Sequence, residues 1–256
     1  MFITRSTCQR EPATEPRARA LAEAAIVLVG HGTTSDAAQM GGLAGHAAAL
    51  IGRQGVAEVH LAMLHGPGPR PDEVLLRITR RPIIIVPVMM CDGIAAGRAV
   101  IAAFGAGHGD VRFCPPVGIH ARLTSLIAQR AGRAADRMQR RLADAALLLI
   151  AHGSLRNPAS ADAACHQAAA LRDTRMFANV AVAFLAQPPH LSMALRRLNG
   201  PIIAVGLFVA TGHHGMSDVN GALADASRSD VTYLGPIGAD PGMASVIASM
   251  IGDAAR

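Results

Sequence analysis

The chain has no lysine and no tryptophan, and its 256 residues include one tyrosine and six phenylalanines. With so few aromatic side chains, the stacking platforms that bind single-stranded nucleic acid are poorly supplied, and no nucleic-acid partner is expected. The four cysteines, Cys8, Cys91, Cys114 and Cys165, are scattered without a C-x-x-C pair. That spacing argues against a disulfide framework or a structural zinc knuckle and fits a reducing compartment, so the cytoplasm is expected. No window supplies the roughly 18 uncharged apolar residues of a membrane span. The first residues have no apolar core of a secretory signal; Pro12 and Pro16 break them up, and Glu11, Glu15 and Glu23 oppose a transit peptide. Residues 1–24 are therefore expected to form a disordered tail. All basic charge is arginine, and the formal net charge of +6 suits a small anionic substrate. Oligomeric state has no signature in the sequence.

What the sequence does contain is a duplication. Ala25-Ile-Val-Leu-Val-Gly-His31-Gly-Thr-Thr returns as Ala146-Leu-Leu-Leu-Ile-Ala-His152-Gly-Ser-Leu. Val59-His-Leu-Ala-Met-Leu-His65 before Pro67 returns as Ala181-Val-Ala-Phe-Leu-Ala186 before Pro188. Arg81-Pro-Ile-Ile-Ile-Val-Pro-Val-Met-Met90 matches Gly200-Pro-Ile-Ile-Ala-Val-Gly-Leu-Phe-Val209, and Phe113-Cys-Pro-Pro-Val-Gly-Ile matches Tyr233-Leu-Gly-Pro-Ile-Gly-Ala. Blocks recurring in one order at a nearly constant offset mark two homologous halves, 25–142 and 143–256.

Each half alternates short apolar runs with longer Ala/Leu/Arg stretches of helical period, the pattern of βαβ units around a parallel sheet. Second-half strands are expected near 146–151, 180–185, 202–209 and 231–234. The common strand order 2-1-3-4 opens a crevice where the loops after strands one and three part. Those loops carry His31 and His152 after strand one. After strand three they carry Cys91-Asp92-Gly93 in the first half and Thr211-Gly212-His213-His214 in the second.

A histidine flanked by glycine at a strand-to-helix turn allows close ligand approach. Neutral imidazole can bind a borderline divalent ion and accept a proton near neutral pH. Two such histidine loops, at His152 and at His213-His214, converge in the second half. Adjacent histidines do not both face a crevice easily, so one is a candidate ligand and the other a support. His46, His108, His120, His166 and His190 have no such context and read as structural or surface residues, and His60 lies inside a strand.

The series His152-Gly153-Ser154, then Ala183-Phe184-Leu185, then Leu207-Phe208-Val209-Ala210-Thr211-Gly212-His213-His214-Gly215-Met216-Ser217-Asp218 resembles the sirohydrochlorin cobaltochelatase and ferrochelatase family, the class II tetrapyrrole chelatases. The likeness runs through both halves. It implies two flavodoxin-like α/β halves around a cleft for the macrocycle, no organic cofactor and no ATP, and a divalent metal (Co²⁺, Fe²⁺ or Ni²⁺) as substrate. It selects His214 over His213 and makes His152 and His214 the expected catalytic and metal-binding pair. Sirohydrochlorin, an anionic tetrapyrrole, is the implied partner. Ser154, Arg156, Gly212 and His31 are candidates for holding it, with His31 and His65 as further metal ligands.

The sequence departs from the family pattern where a glutamate often follows the second strand's Phe-Leu. Ala186 stands there, with His65 at the equivalent first-half position, while Ala95 replaces the third-loop histidine in the first half. The loss of that glutamate keeps open a non-catalytic metal or tetrapyrrole carrier. A metal-dependent hydrolase is a further alternative and would need Asp92 or Asp218 as a ligand.

Overall fold

The computed structural model describes residues 22–32, 37–54, 56–90, 93–105, 110–156, 158–212, 214–226 and 228–255. The first half runs β1 (Ala25–Gly30), α1 (Ala37–Gln54), β2 (Glu58–Met63), α2 (Pro71–Leu75), β3 (Ile83–Pro87), α3 (Gly93–Phe104), β4 (Val111–Phe113) and α4 (Ala121–Arg137). The second repeats it as β5 (Ala146–Ala151), α5 (Asp162–Asp173), β6 (Asn179–Phe184), α6 (Leu191–Arg197), β7 (Ile202–Gly206), α7 (Val219–Asp225), β8 (Val231–Pro236) and α8 (Met243–Ala254). Each half holds a four-stranded sheet in the order 2-1-3-4, and every pairing is parallel. This is the α/β architecture in two tandem halves that the duplication implies.

The central strands are apolar on both faces because helices cover both. In β1 and β3, Ile26, Leu28, Ile84 and Val86 face one cluster, while Val27, Ile83 and Ile85 face another. β5 and β7 divide likewise: Leu147, Leu149, Ile203 and Val205 join the first of those clusters, and Leu148, Ile150 and Ile202 form a third. One core is therefore shared between the halves, and each half has an outer core of its own.

The shared core is built by exchange of the last helices. α4 of the first half packs on β7 and α5 of the second, and α8 of the second half packs on β3 and α1 of the first. Their sequences suit this, since Leu123, Leu126, Ile127, Ala131 and Ala134 of α4 and Val246, Ile247, Met250 and Ile251 of α8 are buried at helical spacing. Polar groups cross the same boundary. Thr124 donates to Gln167 Oε1 (2.6 Å), and Gln167 Nε2 donates to the Gly118 carbonyl (2.9 Å). Arg130 of α4 donates to the carbonyls of Leu234 and Pro236 at the end of β8.

Two expected boundaries shift. The tail was expected to reach Ala24, yet Ala24 is fully buried and Arg80 donates to the Ala22 carbonyl (3.2 Å), so the fold has begun by Ala22. Residues 1–21 lie outside the described residues. Strand three of the second half was expected to reach Val209 but ends at Gly206, where the register with β8 shifts. One further bond to the neighbouring strand, from Leu207 N to the Ile150 carbonyl (2.7 Å), follows before the chain leaves the sheet.

Candidate functional site

His31 and His152 occupy matching places, one residue past β1 and β5. In both, the next residue is a left-handed glycine, Gly32 at φ +78° and Gly153 at φ +70°. That turn brings the glycine carbonyl back to the imidazole. Nδ1 of His31 lies 3.0 Å from the Gly32 oxygen, and Nδ1 of His152 lies 2.7 Å from the Gly153 oxygen. A carbonyl can only accept, so Nδ1 carries the hydrogen, and in the neutral ring the lone pair sits on Nε2. Anchoring one ring nitrogen to orient the other is how proteins present imidazole to a metal or a proton. Both side chains are exposed at their strand tips.

The second strand of each half extends past this turn. Leu64 N donates to the Gly30 carbonyl (3.1 Å) and His65 N to the His31 carbonyl (3.0 Å); in the second half Leu185 N donates to Ala151 (3.1 Å) and Ala186 N to His152 (2.8 Å). His65 and Ala186 are thus equivalent, as the blocks imply. In the first half the result is a pair of imidazoles, His31 and His65, with centroids 5.1 Å apart and planes at 60°.

In the second half, Gln187 fills the space beside the histidine turn. Its Oε1 accepts from Ser154 N (2.5 Å) and Ser160 Oγ (3.3 Å), and its Cγ would lie 2.6 Å from a Cβ on Gly153. The first half uses a different residue for this, Gln39 of α1, whose Oε1 accepts from Gly32 N (2.8 Å). Neither glutamine stands out in the sequence. Only the position of Gln187, one residue beyond the family's glutamate site, could have drawn notice.

Ser154 and Arg156 sit on the turn after His152, where Arg156 N donates to Ser154 Oγ (3.2 Å) and the Arg156 side chain is exposed. Gly212 lies beyond β7, with open space where a Cβ would stand. It leads into a π-helical turn, His214–Asp218, a distortion frequent at functional sites. That turn is pinned from two sides. Met216 N donates to the Gly212 carbonyl (3.1 Å), and the Tyr233 hydroxyl donates to the Gly215 carbonyl (2.5 Å). Burial pushes the Tyr233 phenol up to about 12, against the pull of Arg130, so it remains a donor at neutral pH. His213, Cys91 and Asp92, and the side chains of His214 and Ala95, lie outside the described residues.

Three other histidines serve the fold. His46 Nε2 donates to the Gly238 carbonyl (2.9 Å) across the halves, His60 meets Glu58 (2.7 Å), and His120 accepts from Arg122 N (3.2 Å). Among the described residues, no three of His, Cys, Asp and Glu gather into a metal cage. A cavity of about 750 Å³ lies between the Gly41, Gly45 and Ala49 face of α1 and the second-half loops Val209–Thr211 and Gly238–Pro241. His31, His65 and His152 do not line it, although its Thr211 end adjoins the loop that leads to His214.

The CbiX family model matches this chain twice, over residues 25–134 and 146–254. A probable sirohydrochlorin cobaltochelatase of Halobacterium salinarum is 28% identical over 158 residues, 56% of this chain and 54% of that protein. The chain thus spans about half the length of this curated relative. Among solved structures, CbiX, described as the terminal enzyme for biosynthesis of siroheme in denitrifying bacteria, superposes with a TM-score of 0.71 at 28% identity, covering 90% of this chain and 99% of that one. SirB from Bacillus subtilis with Fe³⁺ superposes with a TM-score of 0.73 at 17% identity, over 91% and 96% of the two chains, a likeness of fold. Matched in both of its halves, the chain belongs to the CbiX family.

Proposed function

We propose that this chain inserts a divalent metal, Co²⁺ or Fe²⁺, into sirohydrochlorin, in cobalamin or siroheme biosynthesis, with His152 and His214 as the catalytic pair. The observation that carries this reading is the imidazole of His152, held by Nδ1 at a strand tip in a chain whose relatives are named for sirohydrochlorin and siroheme. Insertion exchanges one divalent ion for two pyrrolic protons, so the site must hold the ion and receive protons. Nε2 of His152 and the imidazole of His214 would do both, because metal affinity and ligand deprotonation are coupled.

Ser154, Arg156, Gly212 and His31 would contact the macrocycle, Arg156 and nearby backbone N–H groups meeting its carboxylates. His31 and His65 are further metal ligands in this reading. In this reading the two halves meet near Leu142. No organic cofactor and no nucleic-acid partner is invoked, and the cytoplasm is the proposed compartment, in keeping with the unpaired thiols of Cys114 and Cys165. No described helix is long and apolar enough to cross a membrane.

Ala186 favours a second reading, a metal or tetrapyrrole carrier that has lost the family's glutamate. An anaerobic spectrophotometric assay of sirohydrochlorin with Co²⁺, Fe²⁺ and Ni²⁺ in turn separates the two. Repeated turnover supports the chelatase, and stoichiometric binding without turnover supports the carrier.

A further inference from the structure

The repeat supplies an internal comparison for the loop that carries His214. Tyr233 on β8 stands opposite Ala204 of β7, as Phe113 on β4 stands opposite Ile85 of β3, and the repeated blocks make these the same positions. Both rings are half-buried against the outer core of their own half. The second-half ring differs by one hydroxyl, and Tyr233 is the one tyrosine of the chain.

That hydroxyl has a path and a partner. Gly206, the last residue of β7, leaves the path, because a Cβ there would collide with the Tyr233 oxygen. The partner is the Gly215 carbonyl, which accepts from it at 2.5 Å. Gly215 sits tightly between Pro236 Cγ and the Ala210 carbonyl oxygen, 2.8 and 2.9 Å from where its Cβ would stand. Arg130 of the first half donates to the carbonyls of Leu234 and Pro236, so the strand end that presents Tyr233 is held as well.

The first half has none of these parts. Phe113 lacks the hydroxyl, Pro87 takes the place of Gly206, and Ala95 stands where the second half has His214. There α3 begins at Gly93, whereas in the second half the π-helical turn His214–Asp218 precedes α7. Hydroxyl, gap and π-helical turn thus occur together in the half that carries the third-loop histidine. Packing alone is served by phenylalanine, as it is in the first half, and what the hydroxyl adds is the bond to the turn.

We propose that Tyr233 is a positioning residue for metal insertion, its hydroxyl fixing the turn on which His214 sits and with it the backbone from which His214 acts; this rests on the reading of His214 as one of the insertion pair. A reacting group displaced by about an ångström loses rate even when nothing else in the site changes.

The test measures insertion into sirohydrochlorin for the wild type, Tyr233→Phe, His214→Ala and the double variant, with thermal melts to confirm folding. Tyr233→Phe should lower kcat about threefold to tenfold, the net worth of one hydrogen bond, with KM unchanged. In the His214→Ala background the same substitution should cost nothing further, because the bond acts through His214. Gly206→Ala, which displaces the hydroxyl and keeps the phenol, should give the same fall in kcat, again absent in the His214→Ala background. A Tyr233→Phe protein at the wild-type rate, a loss confined to KM, or a loss of equal size in both backgrounds makes the hydroxyl a purely structural group; each overturns the proposal and leaves the insertion pair standing. A His214→Ala protein at the wild-type rate is the other failure, removing the insertion-pair reading and the proposal with it.

Discussion

The left-handed glycines after His31 and His152 perform the same task against different neighbours, and the difference is testable. At either site an alanine costs about 1–2 kcal/mol for the left-handed backbone alone. At Gly153 the new methyl meets the side chain of Gln187, which can swing aside; at Gly32 it meets the backbone carbonyl of His65, which is fixed in the strand ladder. Gly32→Ala should therefore lower Tm clearly more than Gly153→Ala, by several degrees against a few at the usual conversion for a chain of this size. Thermal unfolding followed by circular dichroism reads the order. Equal shifts would mean that the first-half turn relaxes as freely as the second. The turns were legible in the sequence, as histidine and glycine repeated at matching offsets. The glutamines that brace them were not, because Gln39 and Gln187 sit at non-equivalent positions and a hydrogen bond across a turn leaves no periodicity to read.

At the scale of elements, α1 packs on α8 of the second half and is tied to that half by a buried hydrogen bond from His46 to the Gly238 carbonyl. Burial lowers the His46 pKa, outweighing the opposing pull of that carbonyl, so folding favours the neutral ring. The unfolded chain then binds the proton more tightly than the folded one. Stability is full above the ordinary imidazole value of 6.5 and declines as pH falls through it towards the lower folded value. In His46→Gln that part of the acid destabilisation should disappear, leaving a shallower fall in Tm between neutral pH and pH 5. A variant with the wild-type slope would show that other groups set the dependence. The strands β1, β3, β5 and β7 announce themselves as apolar runs because both of their faces are covered. The docking of α1 does not, since a histidine within an Ala/Gly-rich helix looks the same in sequence whether it bridges two halves or faces water. The early end of β7 has a similar cause: Leu207 and Phe208 continue the apolar run while the backbone leaves the sheet.

At the scale of the molecule, the exchange of α4 and α8 makes each half depend on the other. The largest core takes side chains from both sheets and both exchanged helices. A duplication read from sequence suggests two units that fold separately, yet packing joins them, because the apolar faces of α4 and α8 carry no mark of which sheet they cover. Unfolding should therefore be a single transition, with calorimetric and van't Hoff enthalpies in agreement. Two resolved transitions would mean that the exchanged helices contribute little.

The most direct test of the central claim compares metal-insertion rates into sirohydrochlorin for the histidine variants, each checked for folding by its melt. His152→Ala and His214→Ala should each slow insertion about tenfold or more, the scale of losing an acid–base group. His31→Ala should cost less, and His213→Ala least of all. Turnover abolished by His31→Ala and His65→Ala, with His152→Ala and His214→Ala near wild type, would place the insertion site in the first half and contradict the assignment.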